Sequence, residues 1–501
     1  MKRLYIYVLA AVSFVGTSCS SSWLDLDPST SVTTDQALAT YSDLEVALNG
    51  VYRQTSQHSY YGDNHWYYGD CRAADVQARE SKGPGRRVSP YYEYNVLADD
   101  NLNITLPWQR PYIVIRQANN IIQRVNEGNI PGGTDEEVNA IKSEALVLRG
   151  LALFNLTRMF GMPYTNDNGA SLGVPIELSP ENPDHRPARN TVAECYTQVV
   201  TDLTDALDGL SRERRDGYIN YWAAKALLSR VYLNMGNYRD AYDAAVDVIK
   251  NSGNLYSLYT QSEYPNVWGQ DFQSESLFEL YISISEPSEW GGGTGGEGAP
   301  MVYANEAKTD WNNLILTEDF LNLLDEDAQD VRHCVAQPSV IENNGGLPEA
   351  ARNRNVFLGK FPGKNGDPHD NNICIIRLSE VYLNAAEAGL KLGGAEQTEG
   401  MNYLNELIAN RTPNAAMRVN SAADFTIERI MKERRKELVG EGLIFYDYLR
   451  NRIPIVRSGG WHLATLKDNN AITIQYNDLR IALPIPQSEM DANPNMLQNE
   501  R

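Results

Sequence analysis

Between Ala223 and Val248 two apolar stripes at helical spacing meet at one glycine. The first runs through Ala223, Ala226, Leu227, Val231 and Tyr232, the second through Ala241, Ala245 and Val248. Each recurs every three or four residues, the period of one helix face. Ser229, Tyr232, Gly236, Tyr238 and Ala241 follow a small–aromatic–Gly–aromatic–Ala order. Small residues let two helices approach closely, and the glycine ends the first one. A chain with this pattern must stack helix pairs to bury its apolar faces.

The same order is that of a tetratricopeptide unit, and similar pairs surround it. Asp35 to Thr55 is predicted helical, capped by Thr34 or Asp35. Segment 56–107 is predicted irregular, with Glu80 to Pro90 an exposed loop. A helix from Trp108 carries Tyr112, Ile115, Ala118, Ile121, Ile122 and Val125 and ends at Gly128. The next runs from about Asp135 to Phe160 and stops at Gly161-Met162-Pro163. Further helices are predicted over 191–210, 219–235, 238–250, 376–393, 397–411 and 424–439. A short one through Phe445, Tyr446 and Leu449 follows, then a proline-extended tail from Ile481 to Pro486. The fold class is mainly all-α: about four tetratricopeptide-like pairs with few short strands. The divisions expected are 19–254, a loop-rich insertion over 255–375, and C-terminal helices over 376–501.

The N-terminus supplies an address. Lys2 and Arg3 precede an apolar run from Leu4 to Val15, then Gly16-Thr17-Ser18 and Cys19. That order is a secretory signal over residues 1–18 with a small-residue cleavage site. A cysteine directly after it is expected to carry a diacylglycerol. The apolar run is shorter than the roughly 20 residues that cross a bilayer.

Net charge is −21, with 65 acidic against 44 basic side chains. Nucleic-acid binding is disfavoured, because phosphate contacts need basic surface. Cys71, Cys195, Cys334 and Cys374 are widely spaced. They form no zinc-ligand cluster and leave either two disulfides or buried free thiols open. No HExxH, GxSxG or P-loop motif occurs, so neither catalysis nor a cofactor is expected.

Aromatic usage points to binding instead. There are 29 Tyr, 8 Trp and 10 Phe, and Tyr and Trp join an apolar face to a polar handle. Sugars present flat C–H faces and hydroxyls, which rings and directed polar groups recognise. The candidate ligand-binding residues are Trp66, Tyr67 and Tyr68, then Arg79 and Tyr91, then Trp290, Tyr303 and Trp311 in the insertion. Loops on a rigid scaffold are where such residues concentrate.

Seven segments, in order, resemble the SusD/RagB family of outer-membrane nutrient-binding lipoproteins. They are Cys19 to Pro28; Tyr112, Ile115, Ala118 and Asn119; and Ala145, Leu148, Arg149, Phe154, Gly161 and Pro163. Arg189, Tyr196, Asp202, Leu203 and Ala206 follow, then Arg377, Glu380, Tyr382, Leu383, Ala386, Glu387 and Ala388. Last come Glu433, Arg434, Glu437, Leu438, Glu441, Gly442, Asp447 and Arg450, and the ending from Pro484 to Asn499. These are scaffold signatures, whose Arg and Glu are expected to fix helices rather than touch ligand. The resemblance implies four tetratricopeptide-like pairs and a lipid anchor on Cys19 at the outward face of the outer membrane. It also implies a SusC-like TonB-dependent β-barrel partner, over which the protein acts as a lid delivering oligosaccharide. Relatives of the RagB type make peptide the alternative ligand.

Overall fold

The computed structural model describes residues 34–62, 64–79, 88–180, 184–285, 299–305, 312–339, 355–457, 459, 462–463, 466 and 469–501. Cys19, the signal, most of the Glu80–Pro90 loop, Trp290 and Trp311 lie outside them.

The predicted helices form, with corrected ends. The first is two pieces, Thr34–Ala37 and α1 (Tyr41–Thr55). Thr40 intervenes because its hydroxyl caps Asp43 N–H while the Asp43 carboxylate accepts from Thr40 N–H at 2.9 Å, a reciprocal capping box. Segment 56–107 is more ordered than its composition suggests. It holds α2 (Asn64–Cys71), β1 (Val76–Ala78) and short helices at Val88–Tyr92 and Asn101–Thr105. Then come α3 (Leu106–Glu127), α4 (Asp135–Phe160), α5 (Val192–Ala206), α6 (Tyr221–Met235) and α7 (Tyr238–Asn251). After the insertion follow α8 (Leu378–Leu392), α9 (Gly394–Ala409), α10 (Ile427–Leu438) and α11 (Ile444–Arg450).

Helices α1 and α3 to α9 pack each on the next, giving four helix pairs. The glycine signal of the sequence acts as expected. Gly236 ends α6 at φ 73°, the left-handed geometry that disfavours a side chain. Helices α8 and α9 cross so closely that a Cβ on Gly389 would lie 2.4 Å from the Glu396 carbonyl oxygen.

Short antiparallel ladders order the insertion, and one of them ties it to the segment after α2. β2 (Ser276–Leu280) pairs with β6 (Ile373–Arg377), which leads directly into α8. β3 (Leu314–Leu316) pairs with β1, and β4 (Ala336–Pro338) with β5 (Val356–Leu358).

The motif arginines and glutamates form buried ion pairs between helices. Arg149 on α4 grips Asp202 on α5 through two bonds of 2.6 and 2.9 Å and donates to Asn119 on α3. Arg377 bridges Glu275, Glu437 and Glu441, and Arg411 shares Glu275 and Glu437. Arg189 donates to the Leu497 carbonyl and to Asn499, anchoring the C-terminal segment. All four cysteines after Cys19 are free thiols; Cys71 and Cys195 are buried and Cys334 and Cys374 partly so. Among the described residues no helix is long and apolar enough to cross a membrane.

Candidate functional site

Helix α2 sits against the turn Gly440-Glu441-Gly442. A Cβ on Gly69 would lie 2.1 Å from the Gly442 carbonyl oxygen, so only glycine permits this approach. The contact fixes Trp66, whose indole N–H donates to the Gly440 carbonyl. One side of Trp66 then walls a recess between α2, the 259–272 segment and the 360–372 segment.

This recess has a volume of about 60 Å³, and it opens towards solvent. Its walls are aromatic. Trp66 meets Phe361 edge to face at 6.3 Å, and Trp268 meets Tyr264 at 5.2 Å. Lys360 lies 4.9 Å and Arg377 5.6 Å from the Trp268 ring centre. Among the described residues the buried Trp268 indole N–H finds no acceptor.

The floor is ionic and fixed. Lys360 donates to the Glu441 carboxylate at 2.6 Å and to the Glu437 carbonyl at 2.7 Å. Burial lowers the Lys360 ammonium from its ordinary value, with Glu441 opposing it. Burial alone would raise Glu441, but Arg377 and Lys360 outweigh it and hold that carboxyl below its usual range. Glu279 moves the other way. Burial raises its carboxyl, against hydrogen bonds that include Asn372 and the Phe272 N–H.

The rim carries groups that meet solvent. Lys364 pairs with Asp271 at 2.7 Å and holds its ammonium 4.6 Å from the Tyr281 ring centre. Tyr281 lies nearly parallel to Phe272 at 6.5 Å and is 56% exposed. A large aromatic face open to water beside fixed amides and charges is the arrangement that stacks on a flat, hydroxylated ligand.

The sequence candidates fall into three groups. Trp66 belongs to the recess, though it is only 3% exposed. Tyr67, Tyr68, Arg79, Tyr91 and Tyr303, expected among the ligand contacts, are buried in the structure. Tyr68 packs edge-on to Tyr91 at 5.0 Å and to Phe445 at 5.8 Å, and Tyr67 lies 5.8 Å from Tyr91. Tyr303 stacks on Phe361 and donates to Asp70 at 2.6 Å. Arg79 donates to Asn312, joining the end of β1 to the residues before β3. Tyr67, Tyr68 and Tyr91 pack among α2, the Val88–Tyr92 helix and α11, while Tyr303 and Arg79 join α2 and β1 to the insertion. Trp290 and Trp311 are outside the described residues. Sequence reasoning missed Trp268, Phe272, Tyr281 and Lys364. Trp268-Gly269 is an aromatic followed by a glycine in a loop, as is Trp290-Gly291.

A roomier groove, about 490 Å³, lies between α3 and the C-terminal segment, lined by Tyr112, Arg116, Glu177 and Glu489. Its tryptophan, Trp108, is edge-on to Phe160 and almost wholly buried, so it offers little ring face.

A helical-repeat frame carrying a loop-built aromatic recess defines a binding-protein architecture. A model described as "Starch-binding associating with outer membrane" matches residues 22–233, and the SusD family model matches 166–501. The chain belongs to the SusD family. A SusD superfamily protein of Bacteroides thetaiotaomicron is 69% identical, with a TM-score of 0.88 over 92% of this chain and 100% of that one. A putative sugar-binding protein of Bacteroides vulgatus is 36% identical, with a TM-score of 0.81 over 92% and 99%. SusD-like protein P2 of Formosa agariphila is 24% identical over 100% of this chain and 99% of its own length. A laminarin-binding SusD-like protein, 22% identical with a TM-score of 0.68 over 92% and 99%, shares the fold.

Proposed function

We propose that this protein is a cell-surface lipoprotein, anchored through Cys19 in the outer membrane, that binds oligosaccharide without turning it over. It passes that ligand to a SusC-like TonB-dependent transporter. The observation that carries the binding reading is the exposed Tyr281 ring against Lys364, which also lines the recess walled by Trp268, in a chain of this family. Tyr281 and Trp268 take the stacking role, with Trp290 and Trp311 retained from the sequence as further candidates. Lys364, Asn371 and the Trp268 N–H supply directed hydrogen bonds to hydroxyls. The relatives above are described by starch, sugar or laminarin, so sugar is preferred to peptide as the ligand.

Calorimetry of the lipid-free protein against a panel of neutral oligosaccharides tests the reading. Tyr281→Ala is expected to weaken the bound glycan about two- to twelvefold, from a stacking contribution of ~0.5–1.5 kcal/mol, with thermal unfolding nearly unchanged because the ring is exposed. Unaltered affinity in Tyr281→Ala, Trp290→Ala and Trp311→Ala together would remove the aromatic site. Release of reducing ends on incubation would overturn binding without catalysis.

A further inference from the structure

Arg158, in the last turn of α4, is buried and pairs with no carboxylate among the described residues. Its guanidinium lies between two rings, with Cζ 4.1 Å from the centres of both Phe154 and Tyr446. One edge is used: Nη2 donates to Asn155 Oδ1 at 2.7 Å and lies 3.5 Å from His65 Nε2. Among the described residues the buried Nε and Nη1 donors find no acceptor, and the buried Tyr446 hydroxyl finds no partner. Two small cavities, of about 10 and 20 Å³, adjoin here, and both are lined by Arg158, Asn234, Tyr446 and Arg450.

The surrounding charges do not balance. Arg230 is held by Glu380, Arg434 by Asp447, and Arg450 by Glu387 and Asp447. With Arg158, four guanidinium groups therefore face three carboxylates. His65 adds no positive charge, because burial and then Arg158 and Arg230 hold its imidazole well below its ordinary value. The terminal carbonyls of α4 offset part of the excess, but they leave the two N–H groups unpaired. A water at Nη1 would leave the buried charge uncompensated, which is costly.

We propose that this junction binds one small monovalent anion of chloride size, held by Arg158 Nη1–H and by the Tyr446 hydroxyl. The site lies where α4, α6, α8, α10 and α11 meet, so the ion would join the two halves of the helical array across the insertion.

The test uses the mature protein crystallised in sodium bromide, with data collected at the bromine absorption edge. An anomalous peak within hydrogen-bonding reach of Arg158 and Tyr446 is expected. In solution, bromide or chloride should raise Tm by about 1–3 °C over gluconate at equal ionic strength, as a ligand that binds only the folded state does. Tyr446→Phe keeps the ring and removes one donor, and should lower bromide occupancy severalfold. Arg158→Met should abolish the halide-specific rise. If Arg158→Met does not fold, the crystal peak and Tyr446→Phe still decide. Density fitting water with no anomalous signal, or equal Tm in halide and gluconate, would overturn the assignment.

Discussion

Asp70 gives a sharp test of how the site is held together. Its Oδ2 accepts from the Tyr303 hydroxyl at 2.6 Å and from Gly442 N–H at 3.0 Å. It thereby ties α2 both to the insertion and to the turn that fixes Trp66. Burial pushes its carboxyl up from 3.8 to about 7, against those two hydrogen bonds and Lys360. The folded protein therefore holds the proton more tightly than the unfolded chain. Its stability contribution is full below pH 3.8 and is lost as pH rises through about 7. The gap caps the cost of ionisation at ~4 kcal/mol, at 1.36 kcal/mol per pH unit. In Asp70→Asn, the amide oxygen can occupy the Oδ2 position and keep both bonds without ionising. Urea unfolding of both proteins from pH 4 to pH 9 should show the variant gaining on wild type through neutrality, then a constant gap above pH 8. The difference between the two profiles cancels Glu144, which burial also raises to about 7. Parallel profiles across that range would refute the reasoning, because Asp70 would then ionise without penalty.

Other expectations follow from the packing. Gly69→Ala places a Cβ 2.1 Å from the backbone oxygen of Gly442. It should destabilise by about 1–3 kcal/mol or more, read by unfolding midpoint, and should weaken glycan binding by displacing Trp66. Asp202→Ala leaves Arg149 buried and unpaired and should cost about 3–5 kcal/mol, with the double change Arg149→Met, Asp202→Ala recovering part of it. Cys19→Ala should move the protein from the membrane fraction to the soluble fraction; retention would remove lipidation as the anchor.

Much of this protein was legible because helices are local. The apolar period that forms α3 to α9, the glycine that ends α6 and the order of the motif arginines and glutamates are all sequence properties. They suffice to place the chain in a helical array and a family. The first-helix expectation failed at Thr40 because a local capping box outweighed the continuing apolar period.

The binding face was not legible in the same way. His65-Trp66-Tyr67-Tyr68 and Tyr281 look equally suited to a ligand in one dimension. Burial separates them, and burial is a long-range property. Tyr67 and Tyr68 are covered by rings brought in from elsewhere in the chain, Tyr91 against both and Phe445 against Tyr68. Tyr281 is open because β2 ends at Leu280 and leaves its ring at the rim. The sequence alone determined the helices, the repeat and the family. Tertiary structure decided which aromatics fill space and which face water, because a ring's exposure depends on what packs over it and not on its neighbours in the chain.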